Sequence, residues 1–282
     1  MTNAALKWRI TKNKLFVLSL FLFAGLTAVP LVLILYYIIS NGISAINWDF
    51  LTQLPKPVGE SGGGILNAIV GTIMLIVNAT LFAAPVGVLA GVYLSEYPNT
   101  QLAKIAGLFV EILQGIPSIV IGIVAYVWLV SPIGNFSALS GSAALAIMML
   151  PVIVRTTEET IKLVPNSMKE ASLALGISTS RTILRVIIPN SLSGIITGVT
   201  LAVARIAGET APLLFTAFGN PFLSFNALQP VHSLPLLIYN YATSPYDDWH
   251  RQGWGASLIL IVMILILSII SKLLIKRWKV QF

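Results

Sequence analysis

The stretch from Leu15 to Ile39 runs for 25 residues without a charged side chain. A helix needs ~20 mostly apolar residues to cross a hydrocarbon core ~30 Å thick, and inside that core each backbone polar group must find its partner within the protein. Five further stretches read as spans: 66–94, 108–130, 139–154, 192–218 and 256–275, with 139–154 the shortest. The alternation of apolar and polar residues that marks a membrane β-barrel is missing, so the spans read as helices. Charged residues make up only 10% of the chain, where a soluble domain carries about a quarter. The expected fold is therefore an all-α integral membrane protein, one domain over residues 1–282, built as a six-helix transmembrane bundle. Leu15–Ile39 is too long for the ~7–15-residue apolar core of a signal peptide and reads as a retained first span.

Six spans place both termini on one side, and the basic residues choose that side. Lys7, Arg9, Lys12, Lys14, Lys104, Arg155, Lys162, Lys169, Arg181, Arg185, Lys272, Lys276, Arg277 and Lys279 fall on one face; Lys56 and Arg251 fall on the other. By the positive-inside rule the first face, with both termini, is cytoplasmic. The net charge of +7 then reflects contact with anionic lipid headgroups and needs no nucleic acid. The outer, periplasmic loops are 40–65 and 219–255. Within the second, Ser233–Tyr241 is apolar but too short to span, and its Pro, Tyr and Trp neighbours suggest an interfacial or re-entrant helix.

Several spans carry helix-breaking or small residues. Asn67, Gly71 and Asn78 share a face of the second span, either lining a pathway or packing against another helix. In Gln114-Gly115-Ile116-Pro117-Ser118-Ile119-Val120, Gly and Pro lie close enough to break the third span. Such a break either frees backbone N–H groups that favour an anion or bends one helix around another. Arg205 and Glu209 lie inside the fifth span, where charge is expensive and usually functional. Their i, i+4 spacing places them on one helical face. Arg205 can grip an oxyanion with its planar fork while Glu209 orients it or repels the anion; the two can bridge to a partner helix as a gate; or they form a structural pair. Glu111 and His232 read as ordinary interfacial and loop residues.

No G-x-x-x-x-G-K-[ST] loop, H-E-x-x-H or nucleophile elbow occurs, so no catalytic or metal-binding residue is expected and no cofactor is assigned to the chain itself. The inner loop, 155–190, holds the most specific pattern. Glu170-Ala171-Ser172 is followed, after three intervening residues, by Gly176 and, after nine more, by Val186-Ile187-Ile188-Pro189. This resembles the EAA loop of bacterial ABC importer permeases, with Ser172, Val186 and Ile188 where the pattern has Ala, Ile and Leu. In that family the loop is a short cytoplasmic helix that docks on an ATPase. The resemblance thus implies that Glu170, Ala171, Gly176 and Pro189 couple the chain to such a motor.

Gln114–Val120, Arg205–Glu209 with Thr210-Ala211-Pro212, and Leu234-Pro235-Leu236 extend the likeness over nearly the whole chain to the phosphate permeases, the sister PstC type included, and the modest length and short first outer loop favour the PstA type. That resemblance implies the type I ABC importer fold and ATP-driven uptake of inorganic phosphate across the cytoplasmic (inner) membrane by alternating access. It implies a sister PstC-like permease, two ATPase subunits that bind the ATP and magnesium, and a periplasmic phosphate-binding protein. Gln114, Ser118, Arg205 and Glu209 become the expected substrate pathway or gate. A permease for another oxyanion (sulfate, molybdate or tungstate) and a standalone secondary carrier are the alternatives.

Overall fold

A computed structural model of the protein describes residues 3–60 and 62–278, with side chains described over 7–60 and 62–273. The described residues form thirteen α-helices, and their only β pairing is an isolated bridge between Phe218 and Val231. Helix α1 (Asn3–Gly42) lies along the outside of the bundle, and from Leu15 to Ile39 nearly all its side chains are exposed aliphatic or aromatic groups, as lipid contact requires. The short α2 (Trp48–Thr52) starts where the Asn47 side chain accepts a hydrogen bond from the Phe50 N–H at 2.8 Å, a standard N-cap.

Helices α3 (Leu66–Glu96), α4 (Gln101–Gly115), α5 (Ser118–Ala125) and the single-turn α6 (Ser131–Ile133) follow, α5 and α6 being joined by a π turn over Tyr126–Val130. Helix α7 (Ala138–Lys162) is the centre of the molecule. Its buried Leu145, Met149 and Ile153 share one core with Leu75, Ala79 and Ala83 of α3. Lipid is as apolar as leucine, so such a bundle is held by close packing rather than by exclusion of water. Small residues provide it: a Cβ on Gly91 of α3 would meet the Val154 carbonyl oxygen at 2.7 Å, and Gly87 abuts Ile153 in the same way.

Next come α8 (Asn166–Ala174), α9 (Thr179–Thr182), a π turn (Ile183–Ile187) and α10 (Ile188–Ile206), the last three forming one rod over Thr179–Ile206. In α10, Gly194 and Gly198 lie directly against Thr160 and Thr156 of α7. The chain ends with α11 (Ala211–Thr216), α12 (Leu234–Ala242) and α13 (Asp247–Trp278).

Among the described residues, five helical stretches are long and apolar enough to cross a membrane: Lys7–Ala45, Leu66–Glu96, Ala138–Lys162, Thr179–Ile206 and Asp247–Leu273. The sixth expected span, 108–130, is a bent pair. Helix α4 meets Ser118–Ile133 at 108°. Ile116 is extended (φ −73°, ψ 129°), the conformation forced on a residue that precedes proline, and Pro117 is extended as well (φ −58°, ψ 139°).

The fifth expected span, 192–218, is also interrupted, at Ala207–Thr210 between α10 and α11. The fourth continues as helix well beyond Val154, to Lys162, because the charges after it pair along one helical face. The inner loop 155–190 therefore has only a short hairpin around α8 outside the two flanking helices.

Helix α12 buries one face and leaves Tyr239 and Asn240 exposed. Leu234, Leu237 and Tyr241 form a second core with Phe50, Ile65 and Ala68. The segment before it is fastened to α3: the Leu234 N–H donates to Thr72 Oγ1 at 2.8 Å, Asn67 Nδ2 donates to the Asn220 carbonyl at 2.7 Å, and Gly71 admits the His232 carbonyl. Asn67 and Gly71 thus act in packing, and Asn78 of the same face is half-buried.

Candidate functional site

Two places in this fold carry chemistry. The first is the hairpin between α7 and the Thr179–Ile206 rod. Its helix, α8, contains Glu170 and Ala171 and ends in two reverse bonds: Gly176 N–H donates to the Leu173 carbonyl at 2.9 Å, and Ile177 N–H donates to the Ser172 carbonyl at 3.3 Å. This is a Schellman motif, which needs a left-handed residue, and Gly176 supplies it at φ +77°. The spacing of six between Glu170 and Gly176 is thus the length of helix needed before the chain turns back. Pro189 lies in the first turn of α10, immediately after the π turn. Proline there removes one N–H, and the wide turn before it makes room for the ring.

Ser172, the residue that departs from the motif, is buried, and its hydroxyl lies 2.9 Å from that of Thr182 in α9. On the hairpin Leu163 and Leu175 are 82% and 80% exposed, and Leu173 and Ile177 are exposed as well, among polar neighbours that include Asn166, Glu170 and Ser178. Large apolar side chains left exposed in number mark a protein or membrane contact.

The second place is where the two broken helices meet. Gly122 of α5 lies against Pro212 of α11, where a Cβ would stand 2.7 Å from the proline Cα. The breaks at Ile116–Pro117 and Ala207–Thr210 thus belong to neighbouring elements. Non-helical backbone at membrane depth persists only when buried in protein or lining a water-filled cavity. Arg205 occupies the last turn of α10, where the negative end of the helix dipole favours a cation.

The i, i+4 relation to Glu209 is broken with the helix, because Glu209 lies beyond the turn at Ala207–Gly208. Among the described residues Arg205 and Glu209 make no ion pair, with each other or elsewhere. Arg205 is exposed on the bundle surface in a row with Thr197, Leu201 and Gly208. Gln114 is exposed and Ser118 half-buried, either side of the other break. Among the described residues no hydrogen bond joins them to Arg205 or Glu209, so the four expected pathway residues do not form one bonded cluster.

Sequence reasoning missed an ionic chain at the inner end. Arg155 Nη2 lies 2.5 Å from Glu111 Oε1 and Nη1 lies 2.9 Å from Glu158 Oε2, while Lys162 Nζ lies 2.7 Å from Glu158 Oε1. A second pair joins Lys169 to Glu96. The Arg155, Glu158 and Lys162 spacing does predict a one-sided helical ladder. The Glu111 and Glu96 partners come from remote segments, and no local pattern announces them.

Residues 83–280 match the family model described as "Binding-protein-dependent transport system inner membrane component". The chain belongs to that family. It is 41% identical over 278 residues to the Haemophilus influenzae "Phosphate transport system permease protein PstA", covering 98% of each chain. It is also 41% identical over 275 residues to the Pasteurella multocida protein of the same name, covering 97% of this chain and 98% of the relative. Within the family, the chain is thus of the PstA type.

Among solved structures, a bacterial ABC transporter involved in import of the acidic polysaccharide alginate superposes with a TM-score of 0.65 at 13% identity. The match covers 96% of this chain and 98% of the other. That likeness concerns the fold, which is that of the type I ABC importer permeases. For a member of this family the hairpin and the broken-helix region are the parts to explain.

Proposed function

We propose that the chain is a transmembrane subunit of an ATP-driven importer of inorganic phosphate in the bacterial inner membrane, with both termini in the cytoplasm. The observation that carries this reading is the hairpin: a Schellman-closed α8 that leaves Leu173 and Leu175 exposed, projecting from the cationic face of the bundle and continuous through α9 with the rod whose last turn holds Arg205. A motor protein seated on Leu163, Leu173, Leu175 and Ile177 would push on α8, and the rod would carry that push to the membrane interior. The chain is non-catalytic in this scheme. ATP and magnesium belong to two partner ATPase subunits, and a periplasmic binding protein delivers phosphate from outside.

Arg205 completes the scheme. A cation on the surface of a membrane bundle is too costly to leave in lipid, so the Thr197–Leu201–Arg205–Gly208 row must face protein or water. A sister permease subunit covers that face, and the pathway runs between the two subunits, with Arg205 forming paired charge-assisted hydrogen bonds to the passing anion. Gln114 and Ser118 flank the neighbouring break. Alternating access then requires a bundle with two arrangements, biased by ATP on one side and by the loaded binding protein on the other.

The decisive experiment is reconstitution of the chain with its sister permease, ATPase and binding protein in proteoliposomes, followed by radiolabelled phosphate entry. ATP-dependent accumulation that unlabelled sulfate and molybdate fail to compete is the expected result. Accumulation by the single chain without an ATPase would overturn the reading.

A further inference from the structure

At the inner end of the bundle a polar cavity of about 250 Å³ opens between the last turn of α3, the end of α7 and the hairpin; Glu96, Lys162, Asn166 and Lys169 stand on its wall. Inside it the Lys169 ammonium pairs with the Glu96 carboxylate. Glu96 is the final residue of α3, and its side chain is only 6% exposed; Lys169 precedes Glu170 in α8. Helix α8 otherwise packs chiefly on α9 and the π turn that follow it in sequence. The hairpin is therefore joined to the bundle in two ways. The buried Ser172–Thr182 hydroxyl pair clamps it to the start of the rod, and the Lys169–Glu96 pair ties it to α3.

We infer that Lys169–Glu96 is a strut, and that Glu96 is the positioning residue through which displacement of α8 reaches α3. A buried carboxylate stripped of its cation is heavily disfavoured, so moving the pair as a unit is easier than parting it. Helix α3 cannot yield locally, because Gly87 and Gly91 hold it against α7 at backbone distance, and close-packed interiors transmit strain rather than absorb it. A push on the hairpin would thus act at once on the rod and on the α3–α7 pair. With α3 uncoupled, the rod alone would move, and ATP would be spent without a full change of access. The inference rests on the reading of α8 as the motor-docking element.

The test uses the assembled transporter in proteoliposomes and reads phosphate moved per ATP hydrolysed. Glu96→Gln is expected to lower that ratio by roughly tenfold, within the usual span of coupling between sites, while the ATPase subunits still co-purify. The charge exchange Glu96→Lys with Lys169→Glu is expected to recover most of it. The chain has no cysteine, so Glu96→Cys with Lys169→Cys can be bridged by a short reducible bis-thiol linker. The ratio should be low before linking, restored after it and low again on reduction, in one and the same preparation. A wild-type ratio in Glu96→Gln, an exchange no better than the single change, or a linker that blocks transport overturns the strut. Absence of ATPase subunits from the purified wild-type complex would instead overturn the docking reading beneath it.

Discussion

The hydroxyls of Ser172 and Thr182 lie 2.9 Å apart, with both residues buried at the root of the hairpin. Removing one leaves the other in an enclosed site without that partner, at a cost of ~1–3 kcal/mol, whereas replacing both by apolar groups of similar shape is nearly neutral. Thr182→Val should therefore lower the thermal unfolding midpoint of the detergent-solubilised complex by a few degrees, and Ser172→Ala with Thr182→Val should restore much of the loss. Additive losses in the double variant would show that the two hydroxyls do not depend on each other.

Gly176 is exposed, and a Cβ there would meet nothing within 4 Å, so its requirement is conformational rather than steric. A left-handed backbone costs a residue with a Cβ about 1–2 kcal/mol; asparagine tolerates it best, and β-branched residues worst. ATPase co-purification should fall in the order Gly176, Gly176→Asn, Gly176→Ala, Gly176→Val. A flat series would mean that the α8 terminus is not what the motor reads.

The sequence marks where helices must cross, because charge-free runs long enough to span have few alternatives, and the motif glycine foretells the end of α8. It misplaces boundaries wherever hydropathy and helicity part company. Val154 ends the apolar run, yet Arg155, Glu158 and Lys162 pair along the same face and carry α7 on. Pro117 and Gly208 announce irregular backbone but not its size, and neither the 108° turn at the first nor the contact of Gly122 with Pro212, 90 residues away, is written in the local sequence. The Arg205–Glu209 spacing promised a pair only for an unbroken helix. Partners such as Glu96 for Lys169 are set by tertiary packing and leave no local periodicity to read.

Arg205 lies at the end of α10 with a bare, outward guanidinium, and the proposed pathway gives it direct hydrogen bonds to phosphate. Losing a charge-assisted bond costs ~1.5–3 kcal/mol, so Arg205→Gln should cut phosphate uptake ~10- to 100-fold in reconstituted vesicles while the complex assembles normally. Arg205→Lys keeps the charge but loses the fork, and should retain an intermediate rate. Full activity in Arg205→Gln would remove this residue from the pathway.

His232 belongs to the outer segment fastened on α3, and burial pushes its imidazole down from the usual value near 6.5 to about 4. The Ser233 N–H donates to Nδ1 at 3.0 Å, which suits the neutral ring carrying its proton on Nε2. An unfolded chain takes up this proton near pH 6.5 and the folded one only near pH 4. The histidine's contribution is therefore neutral to stability above pH 6.5 and turns against the fold as pH drops between those values, at up to ~1.4 kcal/mol per pH unit. Below pH 4 the difference levels off, since both states are protonated. Thermal midpoints of wild type and His232→Gln, compared from pH 7 to pH 4.5, should change in the variant's favour as the solution is acidified. Parallel curves would place the ring in contact with water and leave the anchoring of the outer segment insensitive to periplasmic pH.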